Sequence, residues 1–388
     1  MSSFKMIFQP LSLLLFLTLL VSSVTSGRFL YDFDPVPSSA TTPLDTDSVG
    51  FSKAVIEVVE NLAVSGSLLA SLSLATSMAK LAQEMNPEGS RYKLLLSCPS
   101  GLSPSQVSVD FSKSHDRILH PDPDLEDSIS QVWEQRTQRN SSLFNGQKFR
   151  YGSYCLDGDD GGANEVPHVC LRLGLTDYRT FVGTNLSSLW EKFLVTSEDD
   201  SVRCRHTSSP LGNGAVIETS DKKIIVLRRS NNVGEFPGHY VFPGGHPEPT
   251  AVGIDCHQLE HDVQTSELLN KKVSQEMFDS IICEVVEETG IPASSLSPPL
   301  FIGISRRELN VRPAMFFYLK CSHHSDDIPR LYSSAEDGFE STQLHTVSLD
   351  ELKMMTSRMP GCHHGGFALY ELMLQRLKNT KETSLIAT

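Results

Sequence analysis

The sequence predicts an α+β protein, and three observations lead there. Short apolar segments with strand character are interspersed with a few helical ones, without the regular alternation that builds a parallel βαβ sheet. The helical segments are marked by acids at their starts or by Gly and Pro at their ends. The chain has 388 residues, long enough for two domains.

Residues 1–26 open the chain. Positions 7–24 are Leu-rich and nearly free of charge, Lys5 precedes them, and Ser22 to Gly27 supplies small residues suited to cleavage. This reads as a secretory signal peptide, with a signal anchor as the alternative. Residues 27–90 are expected to be a linker and a helical extension. Positions 28–50 are rich in Pro, Ser, Thr and Asp, whereas 52–85 carry Ala, Leu, Val and Ser without Pro and end at Asn86-Pro87-Glu88-Gly89. No candidate ligand lies in residues 1–90.

The pattern changes at Tyr92, and a smaller α+β domain is expected over residues 91–206. Positions 94–98 and 107–111 read as strands, 124–139 as an acid-capped helix with Trp133 on its apolar side, and 149–154 and 168–173 as strands again. The Gly/Asp stretch at 157–162 lacks the spacing of a calcium loop and is expected to be a turn. A second domain is expected over residues 207–380. Positions 214–219 and 224–229 form a hairpin around Ser220-Asp221-Lys222-Lys223, and a short apolar strand runs into Gly244-Gly245. A helix ending at Gly290 follows, then strands at 300–305 and 314–320 and helices at 349–355 and 366–378.

The formal net charge is −14, with no Lys/Arg run and no basic-aromatic interleaving, which argues against nucleic acid as a partner. A small anionic ligand remains compatible, because a few local Arg and a metal suffice to hold it. No stable membrane partner is expected unless the N-terminal segment is retained as an anchor. The eight Cys are scattered, without CxxC or close pairing, and suit reduced buried thiols at least as well as a disulfide framework. Asn140-Ser141-Ser142 and Asn185-Leu186-Ser187 are formal glycosylation sequons. The compartment follows from residues 1–26: the secretory pathway if that signal operates, the cytoplasm otherwise.

The chemistry points to Cys283-Glu284-Val285-Val286-Glu287-Glu288-Thr289-Gly290-Ile291. Glu284, Glu287 and Glu288 stand at i, i+3 and i+4, on one helical face. Side by side, three carboxylates repel one another. A divalent cation turns that repulsion into binding, and Mg²⁺ prefers carboxylate oxygens while keeping water positions open for a substrate phosphate. The bland alternative is a solvated acidic face. Upstream, Tyr240-Val241-Phe242-Pro243-Gly244-Gly245-His246-Pro247-Glu248-Pro249 supplies a Gly-Gly turn at which backbone can approach a phosphate closely.

Taken together, the Gly-Gly turn and the acidic helix resemble the box of the Nudix hydrolases. The resemblance implies an α/β/α sandwich and hydrolysis of a phosphoric anhydride. Cys283 stands where the family carries Arg, a long insertion separates Gly245 from Glu284, and the early Glu of the box falls on Gln275 with Glu276 one place late. Leu94-Leu95-Leu96-Ser97-Cys98-Pro99, Ser114-His115-Asp116-Arg117, Leu171 to Arg179 and Gly183-Thr184-Asn185 narrow the resemblance. They are similar to the divergent Nudix branch that hydrolyses UDP-glucose and UDP-galactose, and that branch has an N-terminal domain ahead of the Nudix fold.

The resemblance implies a nucleotide-sugar diphosphatase using Mg²⁺, with Mn²⁺ as an alternative. Glu284 and Glu288 are the expected metal ligands, and Glu287 the third carboxylate, any one of the three being able to act as base. Arg229 is the residue the resemblance favours for a phosphate or base contact, against a plain edge-strand charge, and Phe144 and Tyr178 are the aromatic faces for uracil, against two core aromatics. Gly245, His246 and Glu248 flank the turn, where a sugar or phosphate contact competes with a loop-rigidifying role. His323-His324 and His363-His364 have no partners at zinc spacing and are expected on surface loops. The alternatives to this reading are a catalytically silent module that binds UDP-sugars and a Nudix hydrolase of another nucleoside diphosphate derivative.

Overall fold

In the computed structural model, which describes residues 89–141, 143–157, 168–230, 235–257, 263–335 and 341–386, ten strands form two sheets. The expected signal segment, the linker and the helical extension up to residue 88 lie outside the described residues, as does the expected Gly/Asp turn beyond Asp157. The larger sheet runs β1 (Tyr92–Leu102), β8 (Leu300–Arg307), β9 (Pro313–Lys320), β5 (Gly212–Glu218), β6 (Ile224–Arg229) and β10 (Ser341–Val347), with the two-residue β7 (Tyr240–Val241) paired to β6. β5 and β9 are parallel, and the other pairs are antiparallel. The smaller sheet sets β4 (His168–Asp177) between β2 (Val107–Phe111), parallel to it, and β3 (Gln147–Asp157), antiparallel to it.

Helices join the sheets in chain order. They are α1 (Pro123–Arg139), α2 (Tyr178–Gly183), α3 (Asp200–Arg203), α4 (Val263–Thr289), α5 (Ile328–Tyr332), α6 (Leu349–Met355) and α7 (Gly361–Ile386). Alternation along the strands sorts them into layers, because successive side chains point to opposite faces. Met315, Phe317 and Leu319 of β9 share one core with Val273, Met277, Ile281 and Val285 of α4. Ala314, Phe316 and Tyr318 of the same strand share the other with Leu369, Tyr370 and Met373 of α7. The larger sheet therefore lies between α7 and α4, the α/β/α sandwich expected.

The boundary expected at residues 206–207 does not separate the two sheets. β1, from the first half, is the edge strand of the larger sheet through its pairing with β8. The smaller sheet is fastened to α4: Ser274 Oγ donates to the Val107 carbonyl at 2.7 Å, and Phe111 N donates to Asn270 Oδ1 at 3.0 Å. Met85–Thr388 is one compact unit.

Several elements run longer than their local pattern. α7 begins at Gly361 because Gly365 and Gly366 serve packing: a Cβ there would overlap Ser305 and the Phe316 ring. α4 ends where expected, with Gly290 at φ 70° and its N–H on the Val286 carbonyl at 2.8 Å. The cysteines are not all remote from one another, since β3–β4 register sets Cys155 opposite Cys170. Asn185 is fully buried, donates to the Asn310 carbonyl and accepts from Ser209 N, so in the folded chain it is closed to glycosylation. No helix of the described residues is long and apolar enough to cross a membrane.

Candidate active site

Residues four apart on a helix form one inclined row. Glu276, Ser280, Glu284 and Glu288 are such a row on α4, and the segment from Gly244 to Glu248 lies along it. Gly244 N donates to Glu288 Oε2 at 2.8 Å, His246 N to Glu284 Oε1 at 3.0 Å and Glu248 N to Glu276 Oε1 at 3.0 Å. Between them, Gly245 N donates to Asn213 Oδ1 at 2.7 Å, and Asn213 Nδ2 reaches Ser280 Oγ at 3.1 Å. Pro247 has no N–H, so every N–H of this stretch is satisfied. The two glycines permit the close approach. Gly244 has φ 151° and its Cβ position is filled by the Asn213 carbonyl, while that of Gly245 is filled by the Glu284 carboxylate.

The register of the box helix differs from the sequence reading by one residue. Gln275 is exposed and bonds to Asp279, whereas Glu276 is 9% exposed and belongs to the row. One residue turns a helix by about 100°, which is enough to exchange these roles. Burial pushes the Glu276 carboxyl up, and the Glu248 N–H pulls it partly back.

Glu284 and Glu287 are half-buried, and Glu288 is 8% exposed. Cys283 sits exposed beside them, its thiol pushed up by burial and by Glu287, Glu276, Asp279 and Glu284. In place of a basic residue, this position thus puts a neutral thiol among the carboxylates. The donor chemistry fits a hard divalent cation. Among the described residues no three His, Cys, Asp or Glu side chains form a ready cage, so substrate oxygens and water would complete the shell, as is usual for Mg²⁺.

A basic cluster stands at the other side of the loop. Glu235 pairs with Arg307 and with Arg312, the latter at 2.9 Å, and Arg312 Nη2 also reaches His246 Nε2 at 2.6 Å. Arg229 donates from Nε to the Glu235 carbonyl at 3.0 Å. The first turn of α7 contributes His363, whose Nδ1 accepts from Phe242 N at 3.2 Å. Burial, and then the charges of these arginines, hold both imidazoles well below the usual histidine range. His363 and His364 are therefore not on a surface loop, and His364 packs edge-on to Tyr92.

The aromatic pair comes from the first half of the chain. Phe144 is 79% exposed and its ring covers Gly146, whose carbonyl accepts from Tyr178 N at 2.9 Å. Tyr178 opens α2, lies edge-on to Trp133, and has its hydroxyl pushed up by burial and by Glu235. Phe181, one turn on, lies under the Arg312 guanidinium at 5.6 Å. Glu248 is exposed and pairs with Lys148 of β3 at 2.8 Å.

The structure thus gathers Glu284, Glu288, Gly245, His246, Glu248 and Arg229 around one loop, with Glu287 a turn along the helix from Glu284. Tyr178 feels the charges of Glu235 and Arg312, and Phe144 is related to Tyr178 through Gly146, which its ring covers and whose carbonyl Tyr178 N donates to. Sequence reasoning missed Lys148, Asn213, Glu235, Arg307 and Arg312 and misjudged Glu276 and His363. Lys148, Asn213, Glu235, Arg307 and Arg312 form no motif in the sequence, because the contacts that unite them cross between separate segments of the chain.

No protein-family model matches the chain. Nudix hydrolase 9 of Arabidopsis thaliana is 94% identical over 311 residues, which is 80% of this chain and 100% of that protein. A uridine diphosphate glucose pyrophosphatase of Homo sapiens is 36% identical over 281 residues, 70% of this chain and 86% of the relative. Among solved structures, a MutT protein from Methanosarcina mazei Go1 is 18% identical with a TM-score of 0.27, covering 42% of this chain and 91% of that one.

Proposed function

The chain belongs to the Nudix hydrolases, and on that premise we propose that it splits UDP-glucose and UDP-galactose into UMP and the sugar 1-phosphate. The observation that carries this reading is the Gly-Gly loop fastened along the carboxylate row of α4, with Arg229, Arg307 and Arg312 close by. A diphosphate needs both: carboxylates for its cation and guanidiniums for its oxygens. The 36% identity to a uridine diphosphate glucose pyrophosphatase supports the choice of substrate.

In this reading Glu284 and Glu288 would hold Mg²⁺ or Mn²⁺, with Glu287 as the third carboxylate, and the cation would supply positive charge against the phosphate oxygens that otherwise repel a nucleophile. Arg229 contacts a phosphate oxygen. One of the three glutamates takes a proton from the attacking water, the water oxygen bonds to one phosphorus as the bridging P–O bond to it breaks, and UMP and the sugar 1-phosphate leave, the freed bridging oxygen remaining as a phosphate oxygen. Residues 91–206 select the base through Phe144 and Tyr178, while residues 207–380 carry the hydrolytic groups. His246 and Glu248 border the sugar-phosphate end.

The test is a panel of diphosphates incubated with protein and Mg²⁺, with nucleotide products separated by chromatography. UMP from UDP-glucose and UDP-galactose is expected, abolished by EDTA and restored by Mg²⁺ or Mn²⁺. Turnover of ADP-ribose or a dinucleotide in preference to UDP-sugars would overturn the substrate. A silent UDP-sugar-binding module is the second reading, favoured by Cys283 at the position of the family's Arg; binding without UMP release would establish it.

Base recognition has its own test. Phe144 presents an exposed ring, and its replacement by Ala removes a stacking face without opening a core. A stack contributes on the order of 1–3 kcal/mol, so the Michaelis constant for UDP-glucose is expected to rise roughly tenfold to a hundredfold. Turnover at saturation should change less, because stacking is felt alike by ground and transition states. Unchanged affinity and unchanged preference for uridine over adenosine would place base recognition elsewhere.

A further inference from the structure

We propose that Arg312 is a positioning residue that keeps the Gly-Gly loop in register with Glu284 by locking His246. The proposal rests on the hydrolase reading only for the assay of turnover.

Arg312 lies between the turn Leu309–Val311 and the first residue of β9. Its two terminal nitrogens point to two partners. Nη1 donates to Glu235 Oε2 at 2.9 Å, and Nη2 meets His246 Nε2 at 2.6 Å. A guanidinium only donates, so Nε2 is the acceptor and the imidazole carries its proton on Nδ1. The backbone N–H of the same His246 ends on Glu284 Oε1 at 3.0 Å. A chain of hydrogen bonds therefore runs from Glu235 through Arg312 and His246 to the carboxylate of Glu284. The planar fork sets the angle between two of its links, which a lysine ammonium does not reproduce.

The surroundings hold that fork in place. Arg307, 1% exposed, grips Glu235 from its other oxygen and bonds through Nε to Asn310 Oδ1. Phe181 lies against the Arg312 guanidinium. The flanking backbone is strained: Phe236 has φ 48°, Asn310 φ 54° and Val311 φ 50°. A β-branched residue such as valine rarely adopts this left-handed region, and such strain persists where the surroundings over-determine it. The strained turn immediately precedes Arg312 and the strained Phe236 immediately follows Glu235, so both ends of the first link are fixed. Arg312 Nε is buried with no hydrogen-bond partner among the described residues, which makes a grip on substrate phosphate the competing role.

The experiment uses the full chain with Arg312→Lys, His246→Ala and His246→Gln. Two readouts need no substrate. Backbone hydrogen exchange of peptides spanning residues 243–248 should quicken by about tenfold or more in Arg312→Lys and His246→Ala, with the β5 and β9 peptides unchanged. The Mn²⁺ dissociation constant, measured by calorimetry, should weaken about tenfold, as expected when a residue supporting a metal ligand is lost. With UDP-glucose, kcat should fall roughly tenfold to a hundredfold and KM stay within about threefold. His246→Gln, whose amide oxygen can accept from Arg312, should recover most of the loop protection. Loop exchange and metal affinity like the wild type, with KM raised, would overturn the proposal in favour of a phosphate contact. Faster exchange everywhere would reduce Arg312 to a folding residue. If Arg312→Lys fails to fold, His246→Ala tests the same link from its other end, and unchanged loop exchange there overturns it. If UDP-sugars are not hydrolysed at all, the exchange and Mn²⁺ results still decide the role of Arg312.

Discussion

Glu284→Gln and Glu288→Gln are each expected to lower turnover at least about a hundredfold, a loss of roughly 2.7 kcal/mol in transition-state stabilisation. Each substitution removes a charge and keeps a carbonyl-type acceptor. The bonds from His246 N and Gly244 N therefore survive, and the loop stays docked on α4. The melting temperature should accordingly change little, so that a lost rate is not a lost fold. Glu276→Gln is the internal control. Glu276 holds the same loop through Glu248 N but lies two turns before Glu284, about 12 Å along the helix axis. Its rate loss should be much smaller. The measurement is kcat on UDP-glucose at saturating Mg²⁺, and near-normal turnover in either of the first two variants would sink their assignment as metal ligands.

The second large effect concerns stability. Glu235→Gln is expected to destabilise the fold by about 3 kcal/mol at neutral pH, because it leaves the buried Arg307 and the half-buried Arg312 without their shared counter-charge. The effect depends on pH in a direction set by the carboxyl. Burial alone would raise it, but Arg307 and then Arg312 outweigh burial and hold it below its ordinary value of 4.5. A carboxylate held low contributes stability fully above the unfolded value and loses it as pH falls through the folded one. The difference between wild type and Glu235→Gln should thus be widest above about pH 5 and close on acidification. Urea unfolding at several pH values measures it. Equal stability at pH 7, or a gap that persists unchanged into strong acid, would show that the Arg307–Glu235–Arg312 cluster does not behave as a charged unit.

Local pattern carried much of the fold. The β9 segment alternates between two cores, α4 stops just before Gly290, and α6 is capped by Ser348 with Glu351 completing a capping box; each is a property of nearby residues. Elements whose ends depend on packing were read short. α7 extends back to Gly361 because its glycines let the helix close on Ser305 and Phe316, which no neighbour in sequence reveals. The same holds for β1, whose partner β8 lies in the other half of the chain.

By itself, the sequence determined the carboxylate face of Glu284, Glu287 and Glu288 and the two glycines that a closely docked loop requires, whereas Phe144 and Tyr178 were reached only through the family resemblance. The carboxylate face and the glycines are visible because helical spacing and turn chemistry are short-range. Only the tertiary structure decided that Glu276 rather than Gln275 meets the loop, since that depends on the helix rotation set by its packing between two sheets. It alone decided that Glu235, Arg307 and Arg312 converge on His246. Charges brought together from the β6–β7 connection and from the two ends of the β8–β9 connection share no sequence period, and a buried ion cluster is held by the fold around it rather than by its neighbours along the chain.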